Sequence, residues 1–145
     1  APGQPGQVAE QDERIAGARL YLVCDARPQE FLDAALRGGA DLVQLRDKTL
    51  DDDGLIAAAR AFRAAADAHG ALFILNDRPD LVAACRADGV HVGQEDAAPA
   101  RARELVGPRA IVGRSTHAPA QAEAAELDPD VDYLAAGPVH EPCPR

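Results

Sequence analysis

Six short apolar runs punctuate this chain, each followed by a stretch with helical spacing, and few folds accept that alternation. The runs are Arg19–Asp25, Asp41–Arg46, Leu72–Asn76, Gly89–Gly93, Ala110–Gly113 and Asp132–Ala136. Most are apolar at nearly every position, the pattern of strands covered on both faces. The first intervening helix is predicted to begin at Pro28, a favoured first-turn residue, and to stop at Gly38-Gly39. The second starts after Thr49 with Asp51, Asp52 and Asp53 at its positive end. It carries Leu55, Ile56, Ala59, Phe62 and Ala66 on one stripe and ends at Gly70. A third follows Pro79, a fourth surrounds Pro99 and ends at Gly107, and a fifth follows Pro119.

Strand–helix units at this spacing predict a parallel sheet with right-handed crossovers. Six strands suit two α/β architectures: a complete doubly wound open sheet, or about six of the eight units of a (β/α)8 barrel. The chain has no Gly-rich dinucleotide loop, which counts slightly against the first. Periodicity alone leaves both open.

With 145 residues, 47% of them hydrophobic, the chain reads as one domain with a real core. Fifteen basic against 24 acidic residues give a net charge of −9. That balance opposes a nucleic-acid partner, whose phosphates need a basic face. No stretch reaches the roughly 18 apolar residues of a membrane span. Cys24, Cys85 and Cys143 are odd in number and match neither a disulfide framework nor a zinc spacing, so a reducing, cytoplasmic setting is expected. Residues 1–17 contain two Pro-Gly pairs and no apolar run, and are expected to form a flexible leader rather than a signal peptide.

Rare residues mark the candidate site. Lys48 is the only lysine, Asn76 the only asparagine and Ser115 the only serine. All three fall at or just past predicted strand ends, where parallel α/β folds keep their sites. Around them stand Gln44, Arg46 and Lys48 after the second strand, alternating so that all lean to one side. Asn76 and Asp77 follow the third strand, His91 lies in the fourth with Gln94, Glu95 and Asp96 at its end, and Ser115, Thr116 and His117 follow the fifth. Arg46 offers a planar fork and Lys48 a point charge, the usual pair for a phosphate chain. Asp77 and Asp96 suit a hard cation such as Mg2+, which keeps waters and is completed by substrate phosphates. Asn76 and Ser115 can donate to the remaining phosphate oxygens. No convincing Ser-His-Asp or Cys-His nucleophilic set is present.

Plainer roles compete with each assignment. Asp77, Asp96 and Ser115 precede Pro79, Pro99 and Pro119, where capping a helix would account for them. Arg46 beside Asp47 would make a surface ion pair of small value. His91 between Val90 and Val92 reads as a satisfied core histidine, and Cys24 and Cys85 as small buried hydrophobes.

Gln44-Leu45-Arg46-Asp47-Lys48, Ile74-Leu75-Asn76-Asp77-Arg78 and Asp88-Gly89-Val90-His91-Val92-Gly93-Gln94-Glu95-Asp96 together resemble the thiamine-phosphate synthase family. Gly113-Arg114-Ser115-Thr116-His117 and Asp132-Tyr133-Leu134-Ala135-Ala136-Gly137-Pro138-Val139 extend the resemblance over about Arg19 to Val139, in the family's order. It implies a (β/α)8 TIM-type barrel and a transferase of thiamine biosynthesis that joins an aminopyrimidine methyl diphosphate to a thiazole ethyl phosphate, releasing diphosphate. It further implies that Arg46, Lys48, Asn76 and Ser115 hold the diphosphate, with Lys48 and Ser115 the catalytic pair. On the same ground Asp77 and Asp96 bind Mg2+, and Gln44 and His91 line the pyrimidine pocket.

After Gly-Pro-Val the family reads Thr-x-Thr-Lys, whereas here His140, Glu141, Pro142, Cys143, Pro144 and Arg145 follow. The expected layout is therefore a leader at 1–17, an incomplete barrel of about six units at 18–139 and a divergent tail at 140–145, a C-terminally shortened member with little catalysis of its own. A six-strand barrel cannot close, and its open edges are expected to drive self-association. Two other activities fit parts of the pattern: a non-catalytic ligand-binding remnant, and the related thiazole tautomerase, an isomerase.

Overall fold

In the computed structural model, which describes residues 13 and 15–140, six strands alternate with helices. The strands are β1 (Tyr21–Cys24), β2 (Leu42–Leu45), β3 (Leu72–Asn76), β4 (Gly89–Val92), β5 (Ile111–Thr116) and β6 (Tyr133–Ala136). The helices are α1 (Gln29–Arg37), α2 (Asp52–His69), α3 (Val82–Cys85), α4 (Pro99–Val106) and α5 (Pro119–Leu127). Residues 1–12 of the predicted leader, Cys143 and the Pro142–Arg145 tail lie outside the described residues. No described helix is long and apolar enough to cross a membrane.

The strand order decides the architecture. All five pairings are parallel and the sheet runs β1-β2-β3-β4-β5-β6, in chain order. A doubly wound sheet must reverse direction at a switch point, and this one never does. Winding one way also curls the sheet. Laid flat, the five gaps between β1 and β6 would span about 24 Å. Instead the Tyr21 hydroxyl on β1 lies 2.7 Å from the Tyr133 hydroxyl on β6. The molecule is an open, six-unit barrel of the (β/α)8 type.

Curling gives the sheet two apolar environments, and strand alternation sends each residue to one of them. Val43, Leu45, Phe73, Leu75, Val90, Val92 and Val112 face outward against Leu32 and Leu36 of α1 and Leu55, Ala59, Phe62 and Ala66 of α2. Phe62 and Phe73 pack with ring centroids 5.5 Å apart at the centre of this layer. Leu42, Leu72, Ile74 and Ile111 face inward and form a smaller cluster with Tyr21 and Tyr133. Ile15 and Ala18 pack against that cluster, and Glu13, Ile15 and Ala16 are helical. The end of the predicted leader is thus structured, because its apolar residues cover the barrel's N-terminal side.

Three aspartates staple the strand starts. Asp41, just before β2, accepts from the backbone N–H groups of Arg19 and Leu20 at 2.7 and 3.0 Å. Asp88, before β4, accepts from Phe73 N at 2.8 Å, and Asp132, before β6, from Val112 N at 2.8 Å. Each ties an incoming strand to the start of its neighbour and so fixes register. Arg63 of α2 reaches Asp88 at 3.2 Å, and Arg103 of α4 reaches Asp132 at 2.9 Å. The helices are thereby pinned to the same points.

Helix ends depart from expectation in two places. Pro28 stands at the N-cap of α1 instead of in its first turn, with extended backbone. The helix after Pro79 shrinks to a 3-10 turn, Pro79–Leu81, and the single turn α3, closed by Arg86 at φ 58°. Residues 77–88 are near the minimum for a parallel crossover, so no full helix fits.

Candidate functional site

Polar groups on the inner face converge toward the C-terminal ends of the strands. Gln44, two residues after inward-facing Leu42, is 3% exposed and donates from Nε2 to the Tyr21 hydroxyl at 2.8 Å. From Tyr21 the contacts run to Tyr133 at 2.7 Å, from Tyr133 to His91 Nδ1 at 2.8 Å, and from His91 Nε2 to Ser115 Oγ at 2.6 Å. Five side chains from β1, β2, β4, β5 and β6 thus form one hydrogen-bonded chain. The register makes this possible, since His91 pairs with Gly113, and Gly113 with Tyr133. A Cβ at Gly113 would overlap the Tyr133 ring, so only glycine leaves room for it.

Burial keeps this chain neutral. The His91 imidazole is pushed down to about 4, first by desolvation and then by the positive Arg46, with Asp96 opposing. Desolvation raises the Tyr21 hydroxyl to about 12 and lifts Tyr133 further still. At neutral pH the network therefore carries no net charge.

Charged groups ring the network at the strand ends. Arg46 and Lys48 are exposed beyond β2, Asn76 and Asp77 are half-buried at the end of β3, and Asp96 is half-buried in the loop after β4. Arg46 does not pair with Asp47. That carboxylate instead accepts from Ala26 N at 3.2 Å and from Thr49 N at 3.0 Å, which holds the Lys48 loop to the loop after β1. Asp77 and Arg78 adopt φ of 52° and 57° in succession, and the Arg78 side chain is held by Asp52 at 2.7 Å and Asp80 at 2.9 Å. Consecutive left-handed residues without glycine are strained and cluster at functional positions.

The capping roles fail at all three positions. The N-caps of the 3-10 turn, α4 and α5 are Arg78, Ala98 and Ala118, none with a side-chain cap bond. Asp96 Oδ2 instead accepts from Gly93 N at 2.7 Å. Asp77, Asp96 and Ser115 therefore do not owe their identities to helix starts. Ser115 lies inside β5, which runs three residues past the predicted Gly113 end. Lys48 sits beyond β2, and the Ser115 hydroxyl bonds His91 instead of Lys48. His91 is both the satisfied buried histidine and part of the converging set. Cys85 is buried and Cys24 half-buried, both as free thiols, with the Cys24 thiol raised chiefly by desolvation.

Among the described residues no three acidic, histidine or cysteine side chains come together around one point. Of the two carboxylates expected to take a cation, Asp77 directly follows β3 and Asp96 lies in the loop after β4. Carboxylate chemistry fits a hard ion whose other positions are filled by water and phosphate.

Sequence reasoning missed Tyr21, Tyr133, Asp47 and Arg114. Arg114 donates to Gly93 O at 3.0 Å and to Gln94 Oε1 at 3.3 Å, and so pins the loop that carries Asp96. The tyrosines share the inward face with Gln44 and His91, which only the strand register reveals.

Known proteins resemble this chain in sequence and in fold. A family model described as thiamine monophosphate synthase matches residues 20–142. A thiamine-phosphate synthase of Gloeobacter violaceus is 52% identical over 129 residues, 88% of this chain and 38% of the relative. One of Thermobifida fusca is 49% identical over 132 residues, 88% of this chain and 61% of the relative. Among solved structures, a thiamine phosphate pyrophosphorylase from Pyrococcus furiosus superposes with TM-score 0.78 at 31% identity, covering 90% of this chain and 63% of the other. The chain thus spans less than two thirds of the length of these relatives.

Proposed function

This chain belongs to the thiamine monophosphate synthase family, and on that premise we propose that it supplies the pyrimidine-diphosphate half of a thiamine-phosphate synthase, a transferase. In the proposed reaction, the C–O bond between an aminopyrimidine methylene and its diphosphate breaks, and the electron pair leaves with diphosphate. The ring nitrogen of a thiazole ethyl phosphate then forms the new C–N bond, giving thiamine phosphate.

The inner face suits the demands of that step. Arg46 and Lys48 clamp the phosphates, and Asn76 and Ser115 donate to their remaining oxygens. Lys48 and Ser115 are the groups assigned to the departing oxygens. Gln44 and His91 face the pyrimidine. A neutral His91 places no positive charge beside the developing cation, and burial is what keeps it neutral. Asp77 and Asp96 would hold Mg2+, which when bound neutralises charge on the leaving diphosphate. We place this chemistry in the cytoplasm, with the pyrimidine diphosphate and the thiazole phosphate as its small-molecule partners.

The observation that supports the reading most is the joining of Gln44, His91 and Ser115 in one network beneath Arg46. Calorimetric titration with the pyrimidine diphosphate tests it. Binding is expected to need Mg2+ and to weaken about tenfold or more in Asp77→Asn or Asp96→Asn. Binding that ignores both the metal and these variants would overturn the metal assignment, and no binding at all would overturn the function.

A further inference from the structure

His91 Nε2 and Ser115 Oγ, 2.6 Å apart, have the spacing of a base and its nucleophile. Their surroundings argue for the opposite polarity. We propose that Tyr133 is a positioning residue that ties the Gln44–Tyr21 pair to His91 and fixes the imidazole proton on Nε2, so that Ser115 accepts from His91 and turns its own O–H outward as a donor to a phosphate group. The phosphate rests on the function proposed above; the position of the proton does not.

The direction follows from counting protons. Each hydroxyl has one to give, and a neutral imidazole donates from one nitrogen and accepts at the other. Gln44 Nε2 can only donate, and it lies 2.8 Å from the Tyr21 oxygen. Tyr21 then donates to Tyr133, and Tyr133 to His91 Nδ1, at 2.7 and 2.8 Å. The remaining imidazole proton sits on Nε2 and faces Ser115. With Nε2 of Gln44 toward Tyr21, the reverse order would make Tyr21 accept twice and leave its own proton without a partner in the network. A buried hydroxyl in that state has lost its water and gained no hydrogen bond in return. The neutrality of the imbedded imidazole agrees with its depressed pKa of about 4.

This polarity removes His91 as a base toward Ser115. In a Ser-His-Asp set a carboxylate accepts the Nδ1 proton and leaves Nε2 free to take the serine proton. Here a tyrosine hydroxyl occupies Nδ1 as a donor, and Nε2 is already protonated. Ser115 is then a ligand-facing donor and not a nucleophile.

The test is 15N NMR of the imidazole in the full 145-residue chain at neutral pH, without substrate. The Nε2–H form of His91 is expected to exceed the Nδ1–H form by about tenfold or more. A dominant Nδ1–H form would overturn the proposal. Gln44→Glu, nearly isosteric, replaces the donor at the far end by an acceptor and is expected to move the proton to Nδ1. An unchanged tautomer in that variant would show that the five groups do not act as one chain. Tyr133→Phe is expected to leave a mixture of the two forms, which a purely space-filling tyrosine would not. Should Tyr133→Phe fail to fold, the first two readings decide alone. A chain that binds no pyrimidine diphosphate yet carries the Nε2 proton would sink the function and leave the relay standing.

Discussion

At the scale of single residues, Gln44, His91 and Ser115 occupy inward positions that apolar side chains would otherwise fill, and the fold tolerates them because Tyr21 satisfies Gln44 while Tyr133 and Ser115 satisfy His91. Removing one should be felt as ligand affinity. Ser115→Ala and Arg46→Ala are each expected to weaken inorganic diphosphate binding about tenfold to a hundredfold, the worth of a hydrogen bond to a charged group, as read by calorimetry. Acid should act through His91. Its folded pKa of about 4 lies below the ordinary histidine value of 6.5, so the unfolded chain binds the extra proton first. The contribution is fully present above pH ~6.5 and is lost as pH falls toward ~4, amounting to about 3 kcal/mol at most. Urea midpoints for wild type and His91→Asn should therefore converge as pH falls through that window; parallel curves would count against it. Rarity made Lys48, Asn76 and Ser115 legible in the sequence. Tyr21 and Tyr133 were not, because a tyrosine inside an apolar run reads as one more apolar residue. Only the stagger between strands sets Tyr133 level with His91, and a sequence does not print register.

At the scale of elements, the strands were legible because burial on both faces removes polar residues from them. Their ends were less so. Arg114, Ser115 and Thr116 look like loop residues, yet they stay paired with Leu134, Ala135 and Ala136 because the rim of the barrel tolerates polar side chains. The helical segment after Pro79 was legible but its shortness was not: a proline start signal says where a helix begins and nothing about the room left before the next strand. The aspartate staples are a second feature that composition hides, since Asp41, Asp88 and Asp132 look like ordinary loop carboxylates. Asp88→Ala leaves Phe73 N without its acceptor and takes one of three partners from the largely buried Arg63, which keeps Asp67 and the Arg86 carbonyl. A loss of about 1–3 kcal/mol is expected in denaturant unfolding, and Asp132→Ala should behave alike through Val112 and Arg103. A loss below ~0.5 kcal/mol in both would show that register is fixed elsewhere.

At the scale of the whole molecule, winding in chain order gives the barrel its inner face and also its exposed margins. Among the described residues β1 and β6 each pair on one side only, and Val23, on the inner face of β1, is 48% exposed. Unpaired edges with apolar neighbours favour association, so the 145-residue chain is expected to form oligomers in light scattering. A sharp monomer peak with cooperative melting would contradict that. The inner face also has a rival on the outside, a groove of about 510 Å3 lined by Ile56, Arg60, Arg63, Cys85 and Arg86. Its arginines would attract a phosphate too. Amide NMR shift mapping with the pyrimidine diphosphate and Mg2+ separates the two faces and tests the central claim most directly. The account predicts shifts at residues 44–48, 76–77, 91–96 and 115–117, with α2 and α3 unmoved. Shifts confined to the α2–α3 groove, or none at the strand ends, would contradict it.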